Sequence, residues 1–440
     1  MRLVMLCHFS NPKVRSRLNL LSRNRLTARN FFKKRSQAVY SDFAPWVSSL
    51  ILELEHFKEH EFHIVSPHRG MARMCQEFNL DGIHYHFYNP DHLKNYDSFM
   101  TKTFPNSMNH YLLNRYLVKR IIRKIKPDIV NLIGAENPYY SSAALDIKGI
   151  PIYLTVQTVY SNDNAKQLSG SLDPYRAALE KELYRRVYYV GCEGKMHYDL
   201  IRKMNPEITI FKMLFPYKKP ALVEAVEPEF DFVNFAGRMG ESKGGLDALE
   251  ALAHLKRQGI TASLNLVGRA APEYQRKMET FVKDNGLSDQ VTFSGYFKEH
   301  IDMFRQVKKS RFALLPIKLD VISSTIIEAA HLGLPIVTYI TSGTPYLNRD
   351  GEAVLLSNIG DIKGLANNMK RLLENPELGE TLSNAATRLV DKDFDNRKST
   401  KSLLDNFAAI LEYERNGTPI PEEMLFNPDD YPDYKGVYGG

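Results

Sequence analysis

The chain has 440 residues, of which 43% are hydrophobic and 25% charged; this is the composition of a globular protein, and the length suits two packed domains better than one core. A formal charge of +7 favours an anionic partner without choosing among nucleotide phosphate, acidic lipid and nucleic acid. No stretch reaches the roughly 20 apolar residues of a membrane span or resembles a secretion signal, and Cys7, Cys75 and Cys192 form neither a disulfide framework nor a zinc spacing, so a reducing, cytoplasmic location is expected.

A short apolar strand, LVMLC, opens the chain. A long basic connection, 11–43, follows. In it Lys13, Arg15, Arg17, Arg23, Arg25, Arg29, Lys33, Lys34 and Arg35 are interleaved with Leu18, Leu20, Leu21, Leu26, Phe31 and Phe32. It reads either as a solvated loop or as a segment that lies on an anionic membrane or acceptor. WVSSLILELEHFKEH predicts a helix and FHIVSP a strand; His56 and His60 have helical spacing but no further ligand set, and read as ordinary helix residues. YLLNRYLVKRIIRKIK predicts a core-facing helix, with Leu112, Leu113, Leu117, Ile121 and Ile122 inward and Lys119, Arg120, Arg123 and Lys124 toward solvent or a bilayer.

The runs DIVNLI, PIYLTV and VYYVG alternate with helical sequence, as parallel strands joined by helical crossovers do. The periodicity weakens at MLFPYKKPALVEAVEPEF, where Pro216, Pro220 and Pro228 mark a linker. A second set then runs through FDFVNFAG, SLNLVG, QVTFSG, RFALLP and PIVTY, with helices at DALEALAHLKRQG and DIKGLANNMKRLLEN. The expected fold is α/β, two doubly wound Rossmann-like domains facing each other across a cleft. The first spans 1–218 with the basic insertion 11–43, and the second spans 219–395. Residues 396–440 supply a helix able to cross back to the first domain, then a tail draped on the surface. The Asn416-Gly417-Thr418 acceptor pattern is read as a chance match in a chain that is not exported.

Chemistry concentrates in the second half. In FAGRMGESKGG, Gly237 and Gly240 permit tight turns, Arg238 and Lys243 supply charge, and Ser242 is a candidate N-cap. A pyrophosphate placed there would meet two cations and the positive end of a helix. In LLPIKLDVISSTIIEAAHLGLPIV a strand ends near Pro316, a loop runs from Ile317 to Ser324, and a helix runs from about Thr325 to Gly333. Asp320 on the loop and Glu328 in the first turn can converge on a ligand above the helix start. Thr325 and Glu328 also fit the T-x-x-E capping box, so Glu328 is either a ribose ligand or a cap. Ser342, Gly343 and Thr344 after PIVTY either let a ligand approach the backbone or simply form a turn.

From Phe235 to about Ala386 these motifs resemble the nucleotide-binding half of retaining glycosyltransferase family 4 (glycosyl transferases group 1), which has the GT-B fold. The resemblance implies that Gly237, Arg238 and Lys243 bind the donor diphosphate and stabilise the departing nucleotide. It places Glu328 on the ribose, and Asp320 at the first glutamate of the family's E-x7-E motif, on the donor sugar. Backbone near Ser294, Gly295 and Tyr296 would recognise the base, and the Ser323, Ser324 and Thr325 amides would touch phosphate or sugar. No cofactor or essential metal is expected. The implied activity is transfer of a hexosyl unit from a UDP- or GDP-linked sugar to a glycan or lipid-linked saccharide in cell-envelope or exopolysaccharide biosynthesis, at the cytoplasmic membrane face. No nucleic-acid partner is expected, since no aromatic stacking platform lies amid the basic runs.

Three departures stand out. Asp320 replaces the usual glutamate, Val321 and Ser323 replace glycines common after it, and Gln157, in LTVQTVYS, stands where many members carry a histidine near the reacting sugar. Glu136 and Asn137 are further strand-end candidates, facing acceptor or donor sugar or simply bonding their own loop. The departures keep two other readings open: a noncatalytic nucleotide-sugar-binding partner, and an epimerase or hydrolase of the same architecture.

Overall fold

The computed structural model describes residues 1–20, 44–161, 173–214, 216–217, 219, 223–224 and 226–432. The chain divides into two compact units: Met1–Glu193 with His197–Tyr217 and Asn396–Phe426, and Lys218–Asp395 with Gly194–Met196 and the residues from Asn427 on.

The first unit runs β1 (Arg2–Leu6), α1 (Pro12–Arg15), α2 (Pro45–Leu54), β2 (Glu61–Pro67), β3 (Cys75–Leu80), β4 (Ile83–Tyr88), α3 (Lys94–Thr103), α4 (Leu112–Ile125), β5 (Ile129–Ile133), α5 (Pro138–Ser141), β6 (Ile152–Thr155), α6 (Pro174–Arg186), β7 (Tyr189–Cys192), α7 (Lys195–Met204) and β8 (Thr209–Lys212). Its sheet has the order β3-β4-β2-β1-β5-β6-β7-β8, and β3 alone is antiparallel. The parallel strands β5 and β7 are buried at every position, as strands covered on both faces must be. The edge strand β3 instead alternates between exposed and half-buried residues. The β3–β4 hairpin was not predicted. Its signal is the Asp81-Gly82 pair, which takes φ of 54° and 83°, the double left-handed turn for which Asp-Gly is suited.

The second unit runs β9 (Phe230–Met239), α8 (Gly245–Arg257), β10 (Leu264–Ala270), α9 (Pro272–Asp284), β11 (Val291–Gly295), α10 (His300–Val307), β12 (Ser310–Leu315), α11 (Ser324–His331), β13 (Ile336–Tyr339), β14 (Leu355–Ser357), α12 (Ile362–Glu374) and α13 (Pro376–Asp393). All six strands are parallel, in the order β11-β10-β9-β12-β13-β14. The order reverses between β9 and β12. The loops that leave these two neighbouring strands frame a crevice at the carboxyl ends of the strands.

The long last helix, α14 (Asn396–Asn416), belongs to the first unit. Its Leu403, Leu404, Phe407, Ile410 and Leu411 join the first unit's core, with Phe407 edge-on to Tyr153 at 5.2 Å. The following segment is more than a surface drape. Phe426 is buried and stacks on Tyr198 at 4.9 Å, and Tyr431 is buried against Tyr346 at 5.4 Å.

Other local expectations are corrected by packing. Helix α2 stops at Leu54, so His56 and His60 lie in the turns beyond it. Leu112 is exposed rather than core-facing, since the inward stripe of α4 begins with Leu117 and Val118 and continues through Ile121, Ile122 and Ile125. Within the basic connection, Val14 and Leu18 are buried and Lys13 is paired with Glu55 and Asp81. The rest of that segment, residues 21–43 with Arg23, Arg25, Arg29, Lys33, Lys34 and Arg35, lies outside the described residues. Among the described residues no helix is long and apolar enough to cross a membrane.

Candidate functional site

The crevice of the second unit is assembled by the loops that leave β9 and β12. Asn234, buried on β9, donates from its side-chain amide to the Leu314 carbonyl at 2.9 Å and to the Lys243 carbonyl at 3.4 Å. The Lys318 N–H donates to the Ser242 carbonyl at 3.0 Å. These bonds fix the two loops to one another. Across them the Lys243 ammonium pairs with the Asp320 carboxylate and donates to Ser323 Oγ at 3.1 Å, while Ser323 Oγ also meets Thr325 Oγ1 at 3.1 Å. Lys243, Asp320, Ser323 and Thr325, separated by about 80 residues of chain, are therefore one cluster.

Lys318, on the same loop as Asp320, serves the scaffold instead. It pairs with the buried Asp247 at 2.7 Å and with Glu241 at 3.4 Å, and Asp247 accepts from Tyr339 Oη at 2.7 Å. A lysine held by a buried carboxylate, as Lys318 is by Asp247, adds little to an incoming anion, whereas Lys243 is matched only by the half-exposed Asp320. Lys243 and Arg238 remain the available cations of the β9 loop.

Arg238 is exposed at the carboxyl end of β9 and stands in register with Arg269 on β10, because Gly237 is accommodated by a register shift between Gly268 and Arg269. Neither guanidinium has a hydrogen-bond or ion-pair partner among the described residues. Like charges opposite one another on neighbouring strands are unfavourable unless an anion comes between them. Arg269 was not singled out from the sequence. It also lines a cavity of about 310 Å³ with Met239, Gln275, Phe293, Gly295 and Tyr296, so the predicted base-recognising segment and the extra arginine share one concavity. Ser294, beside them, donates to Asn265 on β10 at 2.7 Å.

The glycines that the turn requires are not those expected. Gly240 has extended backbone, φ −160°, and a Cβ at Gly237 or Gly240 would meet nothing within 4 Å. Gly244 has φ +69° and a Cβ there would lie 2.1 Å from the Pro316 carbonyl oxygen; at Gly268 the same atom would lie 2.0 Å from the Ala236 carbonyl oxygen. Ser242 does not cap the next helix. It sits inside a short 3-10 turn, Glu241–Lys243, and Gly244 is the N-cap of α8.

Helix α11 has Ser323 at its N-cap, with φ −69° and ψ 140°. Thr325 is therefore already within the helix, and the capping box that would have placed Glu328 three positions after its cap does not form. Glu328 is the fifth helical residue and is buried. The Thr341–Thr344 turn supports the opposite side of the loop. Thr341 donates from Oγ1 to the Val321 carbonyl, Thr344 Oγ1 accepts from the Thr341 N–H at 2.7 Å, and Gly343 is so close that a Cβ would sit 2.6 Å from Val321 Cγ1. The small residues here admit the Asp320–Ser323 loop; Ser342 is itself buried.

In the first unit, Gln157 lies just past β6. Its loop is held by Glu180 of α6, which accepts from the Tyr160 and Ser161 N–H groups at 2.7 and 2.8 Å, and by Arg176, which stacks on the Tyr160 ring at 4.2 Å. Arg176 also donates to the Glu136 carbonyl at 2.7 Å. Asn137 caps α5 by accepting from the Tyr139 N–H at 3.3 Å and contacts His8 Nδ1 at 3.3 Å. Burial, reinforced by the charges of Arg69 and His68, lowers the pKa of His8 to about 4, so the ring is neutral near pH 7.

Glu136 folds its carboxylate over Gly134, whose added Cβ would lie 2.7 Å from both oxygens, and its Oε2 is sealed from solvent with no hydrogen-bond partner among the described residues. Burial, reinforced by the charge of Glu180, pushes its pKa up from 4.5 to about 7. The folded state then keeps a proton that the unfolded chain has lost, so this group lowers stability as pH rises from about 4.5 to about 7. Glu136→Gln is expected to stabilise the first unit above pH 7 by up to about 3 kcal/mol and to have no effect well below pH 4.5. Urea unfolding at the two extremes checks both.

Among known proteins, the family model described as Glycosyl transferases group 1 matches residues 223–389. The chain is 22% identical over 317 residues to the glycogen synthase of Mycobacterium tuberculosis, covering 68% of this chain and 72% of that one. It is 30% identical over 181 residues to the amylovoran biosynthesis glycosyltransferase AmsK of Erwinia amylovora, covering 40% and 43%. The fold is similar to that of the Anabaena protein HepE, solved in complex with UDP and glucose, with a TM-score of 0.61, 12% identity, and coverage of 93% and 100%. Two parallel-sheet α/β units together with these likenesses mark the chain as a glycosyltransferase of GT-B architecture.

Proposed function

We propose that the protein transfers a hexosyl unit, with retention of anomeric configuration, from a nucleoside-diphosphate sugar to a glycan or lipid-linked saccharide. The observation that carries this reading is the Lys243–Asp320–Ser323 cluster at the start of α11, together with Arg238 on the strand that leads into it, which has no hydrogen-bond or ion-pair partner among the described residues. Asp320 pairs with Lys243 and holds its side chain in the crevice. A bound diphosphate would take the ammonium and Arg238 as its counter-charges, leaving Asp320 to the sugar hydroxyls.

Departure of the nucleoside diphosphate builds charge on phosphate oxygens. Fixed cations and the amino end of α11 stabilise that charge more in the transition state than in the ground state, which is what raises turnover. Such a leaving group needs no metal when side-chain cations are already in place. HepE binds UDP, which makes UDP-sugars the first donors to screen and GDP-sugars the next. The relative named for amylovoran biosynthesis supports a role in polysaccharide biosynthesis.

Product analysis with and without acceptor tests the reading. An elongated glycan with the donor's anomeric configuration is expected. Donor left intact with every acceptor would favour a binding partner, and free altered nucleotide sugar an epimerase. Glu328→Gln addresses the donor pocket separately. A buried ribose-facing carboxylate that loses its charge is expected to weaken nucleotide binding by about 1.5–3 kcal/mol, read by calorimetry; unchanged affinity with an intact fold would remove Glu328 from the ribose.

A further inference from the structure

Large apolar side chains are exposed unevenly over this molecule. Six of the fourteen among the described residues fall between Leu93 and Tyr116, on α3, α4 and the loop joining them. Helix α3 turns Asp97 and Thr101 inward and presents Tyr96 and Phe99 to solvent, 55% and 63% exposed. The loop leaves Phe104 exposed and is closed by His110 Nε2 on the Phe104 carbonyl at 2.8 Å, which returns the chain toward Leu112. Leu112 and Tyr116 are exposed one turn apart on α4, and Arg120 continues the same stripe one turn later.

The ionisable groups on the outer side of α4 are all cations: Lys119, Arg120, Arg123 and Lys124. Of these, Lys124 alone has an acidic partner among the described residues, Glu77 at 2.7 Å. Beside the end of the helix is a cavity of about 380 Å³ lined by Lys119, Arg123, Lys126 and Lys148. Its one acid, Asp146, is already held by Arg115 through two bonds of 2.8 and 2.6 Å. The helix is fastened to the sheet by its opposite face, so its outer stripe is fixed: apolar at the amino end, cationic at the carboxyl end.

We propose that this face docks the first unit on an anionic phospholipid bilayer. Helix α4 lies in the interfacial plane, with Phe99, Phe104, Leu112 and Tyr116 below the headgroups and Lys119, Arg120 and Arg123 on lipid phosphates. Long cationic side chains beside amphipathic and apolar ones are what such an interface accepts. A nucleic-acid surface would need the aromatic rings among the cations, to stack bases; here the two are segregated along the helix. The amino end of α4 also adjoins the carboxyl edge of the sheet, since Tyr111 packs edge-on to Tyr139 at 5.4 Å. A lipid-borne acceptor would thus enter from the docked side, a consequence that rests on the proposed transfer reaction, whereas the docking itself does not.

The test is sedimentation of the full chain with phosphatidylcholine vesicles, with and without phosphatidylglycerol. Binding to the anionic vesicles alone, weakened by salt, is expected. Phe99→Ser with Phe104→Ser, and separately Arg120→Ser with Arg123→Ser, should each lower the vesicle-bound fraction roughly tenfold. Tyr413→Ser, exposed on α14, should leave it unchanged. Because every substituted side chain is exposed, circular dichroism and donor binding should match the unsubstituted protein, which separates this result from any failure of the donor site. The proposal is overturned if the chain stays in solution with anionic vesicles, if it binds both vesicle types equally, or if both double variants bind like the unsubstituted chain, which would move the contact elsewhere. Binding to single-stranded RNA that anionic vesicles do not compete would also overturn it.

Discussion

Lys243→Ala and Arg238→Ala are each expected to lower kcat by about 2–4 kcal/mol of lost transition-state stabilisation, roughly 30- to 1,000-fold, while the melting temperature stays nearly unchanged. The two halves of this expectation have separate causes. Arg238 is exposed and has no hydrogen-bond or ion-pair partner among the described residues, so its truncation removes no polar contact there. Lys243 does pair with Asp320, but the Asp320 side chain is 40% exposed, and water replaces most of what a half-exposed pair contributes. What water cannot replace is a cation fixed beside the diphosphate before its charge develops. Initial-rate kinetics beside calorimetric melting of the same preparations checks both halves. Normal turnover in both variants would remove the β9 loop from the chemistry.

Gly244→Ala should be strongly damaging to the second unit, while Gly240→Ala, four residues away, should leave stability within about 1 kcal/mol. An alanine at position 244 must hold φ near +69°, a left-handed conformation costing about 1–2 kcal/mol. Its Cβ would also lie 2.1 Å from the Pro316 carbonyl oxygen, and backbone on both sides has little room to retreat. Relief would require separating the β9 and β12 loops, whose joining bond runs from the Lys318 N–H to the Ser242 carbonyl at 3.0 Å. A loss of about 3 kcal/mol or more is expected, with a fall in melting temperature of roughly 6–12 °C and loss of activity as Lys243 and Asp320 part. At Gly240 the backbone is extended and the space beyond is open. Equal melting temperatures for the two variants would show that the loops can separate at little cost.

The contrast between Gly244 and Gly240 shows where local reading stops. From FAGRMGESKGG the presence of a glycine-bearing, cationic turn is evident, but each of its four glycines is locally as able to turn as the others. Which one may not carry a side chain is decided by Pro316, more than 70 residues away. The cap of α11 has the same character. Thr325 and Glu328 satisfy a local spacing rule, and Ser323 wins because the loop that carries it is held between Lys243 and the Thr341–Thr344 turn. Arg269 was legible only as one cation among many until strand pairing placed it opposite Arg238. The β3–β4 hairpin, by contrast, is readable locally from Asp81-Gly82.

The sequence alone determined that runs of buried, β-branched residues alternate with helical periods, that two such sets flank a proline-marked linker, and that cations and carboxylates gather after the strands of the second set. Those features depend on neighbours within one or two turns, and local periodicity records them. The tertiary structure decided which charges meet, which glycines are indispensable, and which lysine is spent on the scaffold. Each of those outcomes depends on a contact between residues far apart in the chain, formed at the point where the strand order reverses, and no local pattern specifies it.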